Sequence, residues 1–194
     1  MARRRLRGRT PALTRLEAGP FAFGNLGTIG VDRPSTVDLA TIRDDWESHR
    51  ATNAPVTLWH WDELPGPERF AVRRSGEIVA MWGSKTAGTL ELSSVPYYAL
   101  HWLEVRGDIR GVGIGKVTMA LVALRARELG ADGVALHAVN EPDVLAFYRS
   151  LGAVDGVPRP WPSRRPLVGL HCPSAAIQRL AQAAEDAQEE ANRA

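Results

Sequence analysis

The residues with the most chemical content are three alternate glycines, Gly111, Gly113 and Gly115, in the run Val105-Arg106-Gly107-Asp108-Ile109-Arg110-Gly111-Val112-Gly113-Ile114-Gly115. An apolar run at 98–105 enters a charged turn, the glycines follow, and a helical pattern starts near Lys116. Glycine permits positive φ and close approach of backbone to a ligand. The first turn of a helix adds unpaired N–H groups and the positive end of a dipole. Strand end, glycines and helix start thus make an anion cradle of the size of a diphosphate. Its candidate members are Val105, Arg110, Gly111, Val112, Gly113, Ile114, Gly115 and Lys116.

Spacing excludes two other phosphate loops. A dinucleotide fingerprint needs G-x-G-x-x-G, whereas these glycines read G-x-G-x-G. A Walker loop needs a glycine where Arg110 stands and Ser or Thr where Val117 stands. The pattern of Arg110, Gly113 and Gly115 resembles instead the Arg/Gln-x-x-Gly-x-Gly/Ala loop of the GNAT superfamily of acyl-CoA-dependent N-acetyltransferases. A second stretch, Val144-Leu145-Ala146-Phe147-Tyr148-Arg149-Ser150-Leu151-Gly152-Ala153, is similar to the A-x-x-x-Y-x-x-x-G-F ending of that family's cofactor half. It departs at Val144 and at Ala153. Together the two motifs cover about 98–153.

The resemblance implies a single-domain α/β fold: a mixed, mostly antiparallel sheet with splayed central strands, flanked by helices. It implies acetyl-CoA lying between the strand ending at Val105 and the one ending at Val139, and direct attack by an amine on the thioester. No side-chain nucleophile is required, and a backbone N–H within 104–106 polarises the thioester carbonyl. Tyr148 is the implied proton donor to the departing thiolate. Glu104 and His101 are the candidates for the base that takes the amine proton, beside a water chain or His137. Strand alternation sets 101 and 104 on opposite faces unless a bulge intervenes. Asn140, eight residues before Tyr148 where many family members have seven, is a further candidate contact to the cofactor.

Composition agrees with one well-buried domain: 194 residues, 44% hydrophobic and 24% charged. No apolar run reaches membrane-spanning length. The single cysteine, Cys172, cannot form an intramolecular disulfide and offers no metal cluster, so no metal and a cytoplasmic setting are expected. The net charge of +2 hides an asymmetry, because residues 1–15 hold six arginines and no acid. The remainder carries 18 basic against 22 acidic residues. The domain plan is therefore a basic, disordered tail at 1–18, the acetyltransferase-like domain at 19–172 and a C-terminal helix at 173–194.

Supporting elements follow from local pattern. A strand is expected at 28–31 and a helix at 37–49 behind Ser35 or Thr36. A hairpin turns at Ser75-Gly76, and a strand at 89–94 precedes the strand at 98–105. A helix at 116–129 stops at Gly130. Strands at 133–139 and 165–172 flank the second motif, and a helix at 174–190 is expected to fray where its acids oppose the dipole. Leu58-Trp59-His60-Trp61-Asp62-Glu63 suits the wall of a cationic amine's pocket or an apolar anchor to the core, and Trp161 either covers the same pocket or stiffens its loop. The expected acceptor is a small-molecule or peptide amine, and the protein a monomer or homodimer. The alternatives are an acyl-CoA-binding protein without turnover and a nucleic-acid-associated protein that uses the arginine tail.

Overall fold

The computed structural model describes residues 14–35, 38, 68–84, 89–92, 95–156 and 167–194. The expected helix at 37–49 (Asp38 apart), the tryptophan-rich run 58–63, the proline-rich loop with Trp161 and the arginines at 3–9 lie outside the described residues.

The first strands among the described residues are two short ones, β1 (Phe21–Ala22) and β2 (Thr28–Asp32). A hairpin follows, β3 (Glu68–Arg74) and β4 (Glu77–Ser84). Its turn residues Ser75 and Gly76 have φ of 53° and 85°, as a two-residue turn of matching twist requires. Three strands come next: β5 (Thr89–Leu92), β6 (Val95–Leu100) and β7 (Trp102–Val105). Then come helix α1 (Ile114–Glu128), strand β8 (Gly133–Val139) and helix α2 (Pro142–Ser150). The chain ends with β9 (Val154–Asp155), β10 (Leu167–Cys172) and helix α3 (Ser174–Arg193).

Among the described residues the strands form two five-stranded sheets, ordered β1-β2-β3-β4-β7 and β5-β6-β8-β10-β9. Every neighbouring pair is antiparallel except β6 and β8, which run parallel. The expected continuous strand at 98–105 is therefore two strands in different sheets. Gly83 pairs with Trp102 in one sheet and Thr89 with Tyr98 in the other. The break falls at a bulge at His101, whose N–H donates to Gly83 O at 3.0 Å although Gly83 is already the partner of Trp102.

Helix α1 is the centre of the core, with Met119, Leu121, Val122, Ala123 and Ala126 fully buried. Gly130 (φ 72°) ends it, and Ala131 N–H closes back on Ala126 O at 2.9 Å. Helix α3 lies along α1 through small residues, Ala181 and Ala184 among them, both fully buried. It is part of the core rather than an appendage. Its acids do not end it early either: Glu185 pairs with Arg127 at 3.0 Å and with Arg15, and the helix runs to Arg193. The packed chain also begins before residue 19, because Leu16 is fully buried and Gln188 Nε2 donates to Arg15 O at 3.3 Å. The basic tail thus ends before the boundary expected at 18.

The far end of α1 is tied to the sheet by a buried ion pair. Arg125 donates through Nε and a terminal nitrogen to both oxygens of Glu68, at 2.9 and 2.8 Å. No helix among the described residues is long and apolar enough to cross a membrane.

Candidate active site

The site is a fork between two strands. β6 and β8 run in register as far as Leu100 and Leu136. Past that point the chain of β6 continues as β7, which pairs with β4, while β8 continues beside β10. The inner edges of β7 and of residues 137–139 thus diverge without pairing to each other. These are the splayed strands of the expected fold.

Which backbone groups of β7 face the fork follows from the ladder. Arg106 N–H donates to Val79 O at 3.0 Å. In an antiparallel pair such bonds alternate, so the groups of Glu104 and Trp102 also point to β4. Those of Val105 and Leu103 point into the fork. Of the three N–H groups at 104–106, only that of Val105 is available there.

The cradle closes the wide end of the fork. A short turn at Gly107–Ile109 leads from β7 to the glycines. Gly111 and Gly113 have φ of 85° and 103°, values that a side chain resists. Alternation of left-handed and ordinary backbone gathers successive N–H groups into a concavity, a nest for anions. Val117 N–H is the first to bond back, to Gly113 O at 3.1 Å. The N–H groups of Ile114, Gly115 and Lys116 are thus the open donors of the helix start. Gly113 is the N-cap, so α1 starts at Ile114, two residues before the expected Lys116. Val112 and Lys116 are exposed at the loop surface, and Ile114 is buried beneath it. The geometry fits a diphosphate.

The walls come from both sides. Val105 Cγ2 lies 3.7 Å from where a Gly115 Cβ would be, so odd-numbered side chains of β7 face α1. Trp102 and Glu104 occupy the other face. His101 joins them: its ring stacks on Trp102, centroids 5.3 Å apart and planes at 26°. The bulge has therefore brought both candidate bases to one face, which alternation alone would forbid. His101 Nδ1 lies 3.1 Å from Ala99 O, and a carbonyl only accepts, so Nδ1 is the donor in that contact. Glu104 Oε1 lies 3.9 Å from an Arg110 terminal nitrogen.

Tyr148 sits on α2, buried, with its ring edge-on to Phe147 at 5.0 Å. Burial, and after it the neighbouring Cys172, raises the hydroxyl well above the usual tyrosine range. The Cys172 thiol is itself pushed up to about 11 by burial. Asn140 is exposed just beyond β8, and His137 stands inside β8 at the level of the fork. Among the described residues no group of three His, Cys, Asp or Glu side chains gathers to hold a metal ion.

Two features of the site escaped the sequence. Phe147 packs against the cradle itself, 3.3 Å from the Cβ position of Gly115, and Leu26 supports Gly113 at 3.6 Å. The only prior signal for Phe147 was its place beside Tyr148.

Comparison with known proteins agrees with this geometry. Residues 38–153 match the acetyltransferase (GNAT) family. No curated protein sequence matches the chain. Among solved structures, the ribosomal-protein-S18-alanine N-acetyltransferase of Escherichia coli superposes with a TM-score of 0.54 at 16% identity, covering 75% of this chain and 93% of that one. A spermidine N-acetyltransferase chimera from Vibrio cholerae gives 0.53 at 13% identity, covering 77% and 98%. Naa50 of Arabidopsis thaliana, in complex with a bisubstrate analogue, gives 0.50 at 15%, covering 74% and 97%. At these identities the likeness speaks for the fold, and the family match speaks for the class. The chain belongs to the acetyltransferase (GNAT) family, a class of acyl-CoA-dependent N-acetyltransferases.

Proposed function

We propose that this protein moves an acetyl group from acetyl-CoA to a primary amine of a small molecule or a peptide, by direct attack of the amine on the thioester. The observation that carries this reading is the cradle at 111–115 set at the mouth of the β7/β8 fork. Its N–H groups at 112–116 hold the diphosphate, and Val105 and Leu103 offer strand-edge groups to the amides of the pantetheine arm. The Val105 N–H is placed to donate to the thioester oxygen as charge develops on it, a fixed dipole in a partly dry cleft. Most of the rate then comes from positioning.

The remaining work is two proton transfers. Alkyl amines are mostly protonated at neutral pH, with a pKa of roughly 10, so a base must take a proton before or during attack. His101 offers an imidazole and Glu104 a carboxylate, both on the face of β7 away from α1. Tyr148, kept protonated by burial, donates to the thiolate as it leaves. Asn140 lies at the fork's rim, where an amide side chain can meet the cofactor. The proposed setting is the cytoplasm.

The acceptors named for the structural neighbours, an alanine of ribosomal protein S18 and spermidine, define the panel to try. Purified protein with acetyl-CoA and a set of polyamines, small amines and peptide N-termini should release free thiol with at least one of them. Coenzyme A binding with no thiol release across that panel would leave a carrier in place of a transferase.

A further inference from the structure

The fork-facing carbonyl of β7 is already in use. Val105 O accepts a hydrogen bond from Arg110 Nε at 3.2 Å. The far end of the same guanidinium lies 3.9 Å from Glu104 Oε1, which sets its tilt across the strand edge. The Arg110 side chain is 43% exposed, so these two polar contacts hold it there rather than packing. It also stands immediately before the cradle, one residue from Gly111.

An extended ligand adds to a strand edge by pairing with the carbonyl and N–H groups of that edge. While Arg110 is in place, its guanidinium covers the Val105 carbonyl and competes with a ligand amide for it. An anion on the loop competes for the guanidinium, and pairing it with a phosphate joins opposite charges, often through two N–H groups, where the carbonyl offers only a neutral acceptor. Resting on the acetyl-CoA reading above, we infer that Arg110 is a latch on the cofactor channel. In the free protein it closes the Val105 carbonyl. A diphosphate seated on 111–115 draws the guanidinium off and opens the edge to the pantetheine amide. The two ends of the cofactor are therefore coupled through one side chain, and the nucleotide end unlocks the strand for the other.

The test divides the cofactor. Pantetheine is uncharged, so its affinity, followed by calorimetry or by the Val105 carbonyl resonance, reports the edge without a direct Coulomb effect. Saturating 3′-phospho-ADP should tighten pantetheine on the order of fivefold in the full-length protein, the low end of ordinary coupling between sites. Arg110→Ala should bind pantetheine more tightly than the parent in the absence of nucleotide, and nucleotide should then add less than about twofold. The same variant should bind 3′-phospho-ADP more weakly. A residue that merely binds phosphate would not raise pantetheine affinity when removed. The latch is overturned if coenzyme A binds but nucleotide leaves pantetheine affinity unchanged in the parent. It is equally overturned if Arg110→Ala binds pantetheine no better. Failure of coenzyme A and both fragments to bind the parent would instead overturn the acetyl-transfer reading, and the latch with it.

Discussion

The ring of Phe147 rests on the backbone of Gly115: a Cβ at that position would lie 3.3 Å from Phe147 Cζ and 3.4 Å from Cε2. Helix α2, which carries Tyr148, is thereby held against the first turn of α1, which carries the cradle. Even a methyl group at 115 must push the ring aside by a few tenths of an ångström. Gly115→Ala should weaken coenzyme A binding by about tenfold, since overpacking costs roughly 1–3 kcal/mol. Phe147→Ala in the same chain should restore part of that loss. Additive losses in the double variant, measured by calorimetry, would mean that the two residues do not press on each other.

Tyr148→Phe should lower kcat by on the order of a hundredfold or more while leaving coenzyme A affinity near that of the parent, because only the proton donor is lost. Burial raises the hydroxyl above its ordinary value of 10.0, so Tyr148 remains protonated across the neutral and mildly alkaline range. The kcat profile should accordingly show no alkaline fall caused by this group below about pH 10. A limb in that range that vanishes in Tyr148→Phe would contradict the assignment. The linked stability runs the same way. A raised folded-state value favours the native protein below the unfolded tyrosine value and loses that contribution as pH climbs through the raised one.

His101 and Glu104 share one face of β7, so paired variants separate them. His101→Gln and Glu104→Gln should differ in kind: the base lowers kcat by about a hundredfold and removes the acid limb of the rate profile. The other should change chiefly the KM of the amine. Equal, small effects of both would leave the proton to a water chain.

The cradle was legible because its conformation demands a residue type. Positive φ at Gly111 and Gly113 excludes most side chains, so the backbone geometry is written directly in the glycines. The hairpin at Ser75-Gly76 was readable for the same reason, as was the end of α1 at Gly130. The break at His101 was not readable. It follows from pairing, Gly83 with Trp102 in one sheet and Thr89 with Tyr98 in the other, and pairing is not a local property. The two-residue strands β1 and β9 are too short to show a period. Leu16 sits in an arginine-rich context that suggests a solvated tail, yet it is fully buried and tied down by Arg15 on Glu185 and Gln188 of α3. The acids of α3 looked destabilising along their own helix because Arg127, which neutralises Glu185, lies on another helix.

Glu68 and Arg125 form a bidentate pair with only 4% and 12% of their side chains exposed, remote in sequence and at the end of α1 away from the cradle. Glu68→Gln removes one of the two carboxylates that neutralise the guanidinium and leaves the charge of Glu128. Removing one partner of a buried pair typically costs about 3–5 kcal/mol. The variant should show a Tm lower by several degrees with coenzyme A affinity unchanged once folded. An unaltered Tm would show that the pair is solvated in solution.

The central claim is that main-chain amides at 112–116 grip a diphosphate, and titration calorimetry of coenzyme A into the full chain and into Gly113→Glu tests it most directly. The parent should bind with a measurable heat and one site, and the variant, with a carboxylate projecting into the cradle and strain at a φ of 103°, should not bind. Equal affinities for the two proteins would contradict it.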